Sequence, residues 1–160
     1  MFINRPTFLI LNVGNKQKRT LMKDNKHIER DGQTTTKIFD NRSLSVDYRT
    51  LEPILKEGIS VLDVGCGTGS ISKDIANIVG KLGKVTGIDN TAKFIESGNE
   101  TYKNIENLNL LHSDLFDFQT NEKFDLITSA RTLQWLSNPK EALLKMKSLL
   151  KPNGRISILD

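Results

Sequence analysis

The chain is nearly without cysteine. Cys66 is the only one, so no disulfide can form within the chain, which fits a reducing compartment. Any long hydrophobic run is missing too. The apolar stretch from Phe8 to Val13 is too short to cross a bilayer, and with only Arg5 before it and no small-residue cleavage pattern it does not make a signal peptide. These absences point to a cytoplasmic protein without membrane contact. A hydrophobic share of 37% against 26% charged residues excludes a chain disordered throughout, and 160 residues suit one domain with a real core.

Charge is present in slight excess of one sign. The formal net charge is +4, with 11 Lys/Arg against 7 Asp/Glu over positions 1–60 and 12 against 12 over positions 61–160. The whole excess therefore lies in the N-terminal part, which favours a basic arm that aids solubility over a nucleic-acid groove. Residues 1–36 show no sustained period and are expected to form an irregular arm, leaving 37–160 as the domain.

The most informative stretch is Val61 to Ser70, VLDVGCGTGS. A short apolar strand carrying Asp63 runs into Gly65, Gly67 and Gly69, and a helical pattern starts at Ile71. Alternate glycines at a strand-to-helix turn allow positive φ and let a ligand lie against the backbone. No Gly-Lys-Ser/Thr follows, which excludes a P-loop. A dinucleotide fingerprint would need its third glycine at position 70, where the chain has Ser70. Asp63 beside the loop would oppose a pyrophosphate but suit a ligand carrying ammonium and sulfonium charges.

Asp63-Val64-Gly65-Cys66-Gly67-Thr68-Gly69 resembles motif I of the class I S-adenosylmethionine-dependent methyltransferases. The resemblance covers about residues 40–160 and implies an α/β, Rossmann-like doubly wound sheet with five parallel strands. The alternation of elements agrees: strands over Ser60–Val64, Lys84–Asp89, Leu108–His112, Phe124–Ala130 and Arg155–Asp160 are separated by helical patterns. Ile71, Ile75, Ile78 and Val79 form one apolar stripe. Ile95, Gly98, Tyr102 and Ile105 form a second, within a helix expected over Thr91–Ile105. Ala142, Met146 and Leu149, with Leu143 and Leu150, form a third, behind an Asn138-Pro139 cap. Lys151 to Gly154 reads as a turn. A further helix is expected from Asp47, with Leu51, Ile54 and Leu55 on one face and Gly58 as its stop, although Pro53 interrupts it.

The resemblance implies S-adenosyl-L-methionine as cofactor and assigns its contacts. Asp63, Gly65, Cys66 and Gly67 would line the methionine part. Asp89, with Asn90, would meet the ribose hydroxyls, the other reading of Asp89 being a helix cap. Asp114 would take the adenine amino group and the Leu115 N–H a ring nitrogen. Ala130 and Arg131 would border the methyl, and Tyr48 or Arg49 would reach the carboxylate. Gln134 and Trp135 are candidates for the substrate side. Cys66 reads as a small residue in a tight loop, His112 as a strand-end residue and Asp125 as structural. No catalytic base and no metal site is identified.

The implied activity is methyl transfer to a small-molecule acceptor. A cofactor-binding fragment without turnover and a nucleotide-dependent oxidoreductase are the alternatives. In the resembling family the sheet continues past its fifth strand with a helix and an antiparallel pair. The sequence stops at Asp160, so the expectation is a C-terminally truncated domain whose usual antiparallel strands are missing and whose exposed fifth-strand edge invites self-association.

Overall fold

A computed structural model describes residues 41–159, so the expected arm over residues 1–36 lies outside the described residues. The strands are β1 (Ser60–Val64), β2 (Lys84–Asp89), β3 (Leu108–His112), β4 (Phe124–Ala130) and β5 (Leu150–Leu159). They form one sheet of order β3-β2-β1-β4-β5, and every neighbouring pair is parallel. Crossover helices α2 (Ser70–Val79), α3 (Ala92–Thr101) and α4 (Pro139–Ser148) follow β1, β2 and β4, and a single turn, α1 (Leu44–Asp47), precedes the sheet. The doubly wound sheet expected from the sequence is thus the fold.

Successive strand residues point to opposite faces, which divides the core in two. On one face Val61, Val85 and Leu126 pack against Ile71, Ile75 and Val79 of α2 and against Leu44, Tyr48 and Leu51. On the other face Leu62, Val64, Ile88 and Ile127 meet Ala142, Met146 and Leu149. Two members of the expected stripes are exposed: Ile78 at 41% and Leu143 at 39%. Both sit at the rim of their helix's apolar arc, where Ala76 and Met146 take the inward positions instead. α3 ends at Thr101, short of Ile105, and buries Phe94 beside Ile95 and Gly98.

The helix expected from Asp47 is not continuous. α1 stops at Asp47, Tyr48 turns to φ −142°, and Arg49–Ile54 forms a 3-10 helix containing Pro53. Proline lacks the donor an α-helix interior requires, whereas a short 3-10 segment tolerates it. The break turns Tyr48 inward, 2% exposed, where its hydroxyl donates to Ser157 Oγ at 2.9 Å. At the other end of the chain, Lys151 to Gly154 bulges within β5: the pairing jumps from Phe124–Leu150 to Leu126–Arg155, and Asn153 takes φ 65°.

The amino ends of the strands are closed by polar contacts. Asp125 Oδ2 accepts from the Ser60 N–H, from Ser60 Oγ and from Lys151 Nζ, each at 2.8 Å. The carboxyl ends are open. Between β1 and β4 the winding reverses, and at such a switch point a doubly wound sheet leaves a crevice for a ligand.

Candidate functional site

The crevice is built by the loop from β1 to α2. Gly65, Gly67 and Gly69 take φ of 75°, 60° and 82°, a region that side chains with a Cβ rarely enter. Both the Gly65 and the Cys66 N–H donate to Ile88 O, at 2.8 and 3.1 Å, and this seats the loop on the end of β2. Space is as restrictive as φ. A Cβ on Gly65 would lie 2.1 Å from Thr132 Oγ1, and one on Gly98 of α3 would lie 2.2 Å from the Thr68 carbonyl oxygen. Cys66 fills the place of the missing side chain of Gly87, whose Cβ would fall 2.9 Å from Sγ.

A cleft opens over this loop, lined by Asp63, Gly65, Cys66, Gly67 and Ala130, together with Arg42, Ser70 and Ile71. The structure thus brings five of the expected residues together. Asp63 is 5% exposed and accepts a hydrogen bond from Ser72 Oγ. Burial pushes its carboxyl up to about 6; the Ser72 hydrogen bond works against this and the nearby Asp89 carboxylate adds to it. Burial, Asp63 and Asp89 also push the Cys66 thiol well up, so the site holds a neutral thiol and not a nucleophilic thiolate.

Asp89 ends β2 and is buried, with Oδ2 accepting from the Gly67 N–H at 3.0 Å and Oδ1 from the Thr91 N–H at 2.9 Å. It therefore ties the glycine loop to the start of α3, and each oxygen keeps a second lone pair for a ligand donor. Asn90 is exposed, and its carbonyl oxygen meets His112 Nε2 at 3.2 Å. Asp114 Oδ1 accepts from the Phe116 N–H at 2.8 Å, forming an Asx turn after β3, while Leu115 is buried in the core.

Other expected residues stand away from the cleft lining. Arg131 has φ 55°, the left-handed region, and its guanidinium faces Asp47 at 3.8 Å. Gln134 is exposed and Trp135 half-buried in the 3-10 turn Leu133–Trp135. Tyr48 and Arg49 do not line the cleft either: Tyr48 points into the core and Arg49 Nε donates to Ser45 O. The positive side chain that does line it is Arg42, which carried no periodic or motif signal. Ser70 and Ile71 follow the last loop glycine directly and were legible as its continuation.

A glycine loop between a central strand and a helix, with one carboxylate near the end of that strand and one ending the strand beside it, defines an α/β domain built for a nucleoside-bearing ligand. Residues 55–160 match the family model of a methyltransferase domain, and the chain belongs to that family. Its fold is that of the S-adenosylmethionine-dependent methyltransferases. It is 35% identical over 108 residues to a demethylmenaquinone methyltransferase of Staphylococcus aureus, covering 66% of this chain and 44% of the relative. The chain thus spans less than half the length of the curated relatives it matches. Among solved structures, a SAM-dependent methyltransferase from Aquifex aeolicus superposes with a TM-score of 0.68 at 28% identity, covering 78% of this chain and 70% of that one. Coclaurine N-methyltransferase bound to N-methylheliamine and SAH superposes at 0.65 and 23% identity, covering 72% and 34%, a likeness of fold.

Proposed function

We propose that the protein binds S-adenosyl-L-methionine in the cleft over the glycine loop and transfers its methyl group to a small-molecule acceptor. The observation that carries this reading is the joining of the Gly65–Gly69 loop to Asp89 at the switch point, with Asp63 in the cleft wall. The group set fits the ligand: carboxylates for a molecule bearing ammonium, sulfonium and vicinal hydroxyls, and glycines at 65 and 67 that leave the loop backbone open to it. When bound, this cofactor supplies a methyl group already activated by its sulfonium.

The chain's own residues then bind and orient. Asp63 faces the positive end of the ligand, Asp89 with Asn90 accepts from the ribose, and Asp114 and the Leu115 N–H receive the adenine. Ala130 and Arg131 would border the transferable methyl, and Gln134 and Trp135 would lie on the side of the acceptor. Catalysis here is chiefly alignment and exclusion of water, so no residue is assigned as a base.

The similarity to a demethylmenaquinone methyltransferase makes a reduced quinone the first acceptor to try. We read residues 37–160 as the cofactor-binding domain, the setting as cytoplasmic, and the outer edge of β5 as a surface for self-association, to be checked by light scattering. Among the described residues no helix is long and apolar enough to cross a membrane.

Calorimetry with S-adenosylmethionine and with a nicotinamide dinucleotide tests the cofactor, the first alone being expected to bind. Methyl transfer to demethylmenaquinol, or to a metabolite extract, tests turnover. Binding of the dinucleotide instead would overturn the reading, and cofactor binding with no transfer to any acceptor would favour a fragment without turnover.

A further inference from the structure

Beneath the cleft the sheet carries a row of polar side chains inside its core. The register sets Asp63 of β1 beside Thr128 of β4, and Thr128 beside Ser157 of β5. These side chains share the face covered by α2 and Tyr48, because Val61, Leu126 and Leu159, two residues away on the same strands, pack there. Two residues further along β4, Ala130 lines the cleft, so Thr128 sits one pleat repeat below the floor. The outer members of the row are bonded from above. Ser72 Oγ donates to Asp63 Oδ2, and the Tyr48 hydroxyl donates to Ser157 Oγ. Thr128 between them is 0% exposed, and its Oγ1 has no hydrogen-bond partner among the described residues. Its neighbour Ser129, on the opposite face, donates to Val64 O. A hydroxyl kept in the core without a partner costs stability, and such a group calls for a use in another state of the protein. Asp63 supplies that use: among the described residues Ser72 is its one side-chain donor, whereas an ionised carboxylate offers about four acceptor sites. The titratable groups facing Asp63 are Asp89 at the end of β2, Cys66 on the loop and Arg42 across the cleft, while β4 and β5 bring hydroxyls alone.

We propose that Thr128 is a positioning residue for Asp63: when the carboxyl ionises, the Thr128 hydroxyl turns about χ1 and donates to it across the β1–β4 pair. A β-branched side chain has few, well-separated χ1 wells, so the turn is a jump between two states. With Asp63 neutral the hydroxyl rests unbonded. With Asp63 ionised, Thr128 and Ser72 hold the carboxylate from two sides and present it to the cleft as a fixed anion. Only the purpose of that anion, to face a positively charged ligand, rests on the cofactor reading above; the pairing belongs to the free protein.

The test is NMR of the full chain without ligand, following the Asp63 carboxyl carbon against pH and reading Thr128 χ1 from the three-bond couplings of its methyl carbon. In the wild type χ1 should change wells over the interval in which Asp63 loses its proton, around pH 6. Thr128→Val keeps the shape and removes the donor, so the Asp63 midpoint should rise by about one pH unit. Thr128→Ser should keep the wild-type midpoint. Calorimetry adds a profile that a merely structural role would not produce: S-adenosylmethionine should bind Thr128→Val about fivefold more weakly than wild type at pH 6 and nearly equally at pH 8. The melting temperature of Thr128→Val at pH 5, where the hydroxyl rests unbonded, should be no lower than that of the wild type. An unmoved midpoint in Thr128→Val, or a χ1 that stays in one well throughout the wild-type titration, overturns the proposal. Should Thr128→Val not fold, the wild-type couplings decide alone. A moved midpoint without any binding of S-adenosylmethionine would sink the cofactor reading and leave the pairing standing.

Discussion

Asp63 and Asp125 occupy opposite ends of the same sheet and titrate in opposite directions. At the carboxyl end, burial holds the Asp63 carboxyl at about 6 despite its hydrogen bond from Ser72. At the amino end burial also pushes Asp125 upward, but the hydrogen bond from Lys151 and those from the Ser60 N–H and hydroxyl outweigh it and hold the group at about 2. The same side chain is stabilised as an anion where strands are merely tied together, and left uncomfortable as an anion where the cleft opens. The difference separates the end that ties the strands together from the end where the cleft opens.

Removing the cleft's geometry should have the largest effect. Gly67→Val, at φ 60° in the loop, is expected to abolish S-adenosylmethionine binding in calorimetry while far-UV circular dichroism stays native. Native affinity in this variant would remove the loop from the site.

Asp63→Asn tests the uncomfortable carboxylate. Because its folded pKa is raised from 3.8 to about 6, Asp63 lowers stability as pH rises through that interval, and the penalty is fully present above it. The amide should therefore be more stable than wild type at pH 7, by up to about 3 kcal/mol, and its denaturation should lack that pH-dependent loss. Its cofactor affinity should nevertheless fall.

Asp89→Ala is expected to weaken the cofactor by about 1.5–3 kcal/mol. It should also lower the melting temperature, since the Gly67 and Thr91 N–H groups lose their acceptor. A lowered melting temperature with unchanged affinity would assign Asp89 to the loop and helix start alone.

The smallest effect belongs to the other end. Asp125, whose folded pKa is depressed to about 2, contributes stability above pH 4 that is lost as pH falls toward 2. Its side chain is 36% exposed, so screening limits the contribution to about 1 kcal/mol or less. Urea denaturation of Asp125→Asn should show a small deficit at pH 7 that shrinks at pH 3, inside the titration window, with calorimetric affinity for the cofactor unchanged at pH 7.

Much of this architecture was legible because its signals are local. β1 to β4 begin and end where apolar runs meet glycine, asparagine or charged residues, and the loop glycines declare a backbone that other residues cannot adopt. The parallel order followed from strands alternating with helical patterns. What escaped depends on contacts distant in sequence. Arg42 reaches the cleft only because Leu44 and its N–H dock on α2, some thirty residues later in the chain. By sequence, Tyr48 or Arg49 could equally reach a ligand's carboxylate or pack, because nothing nearby in sequence discloses Ser157, the partner of Tyr48 on β5. The spacing of Ile78 matches the stripe, yet it sits at the rim of the apolar arc of α2 and stays 41% exposed while Ala76 is buried.

The approach of Gly98 to the Thr68 carbonyl gives the cradle a second author. The loop is shaped by its own glycines and also pressed into form by α3, a full strand and helix downstream. A cradle held this way needs little ordering when the ligand arrives, so association should be fast and its entropy cost small. Enlarging Gly98 would remove that advantage while leaving every ligand-facing residue in the chain. Its signature is kinetic: Gly98→Ala should slow cofactor association in stopped-flow traces and make binding entropy less favourable.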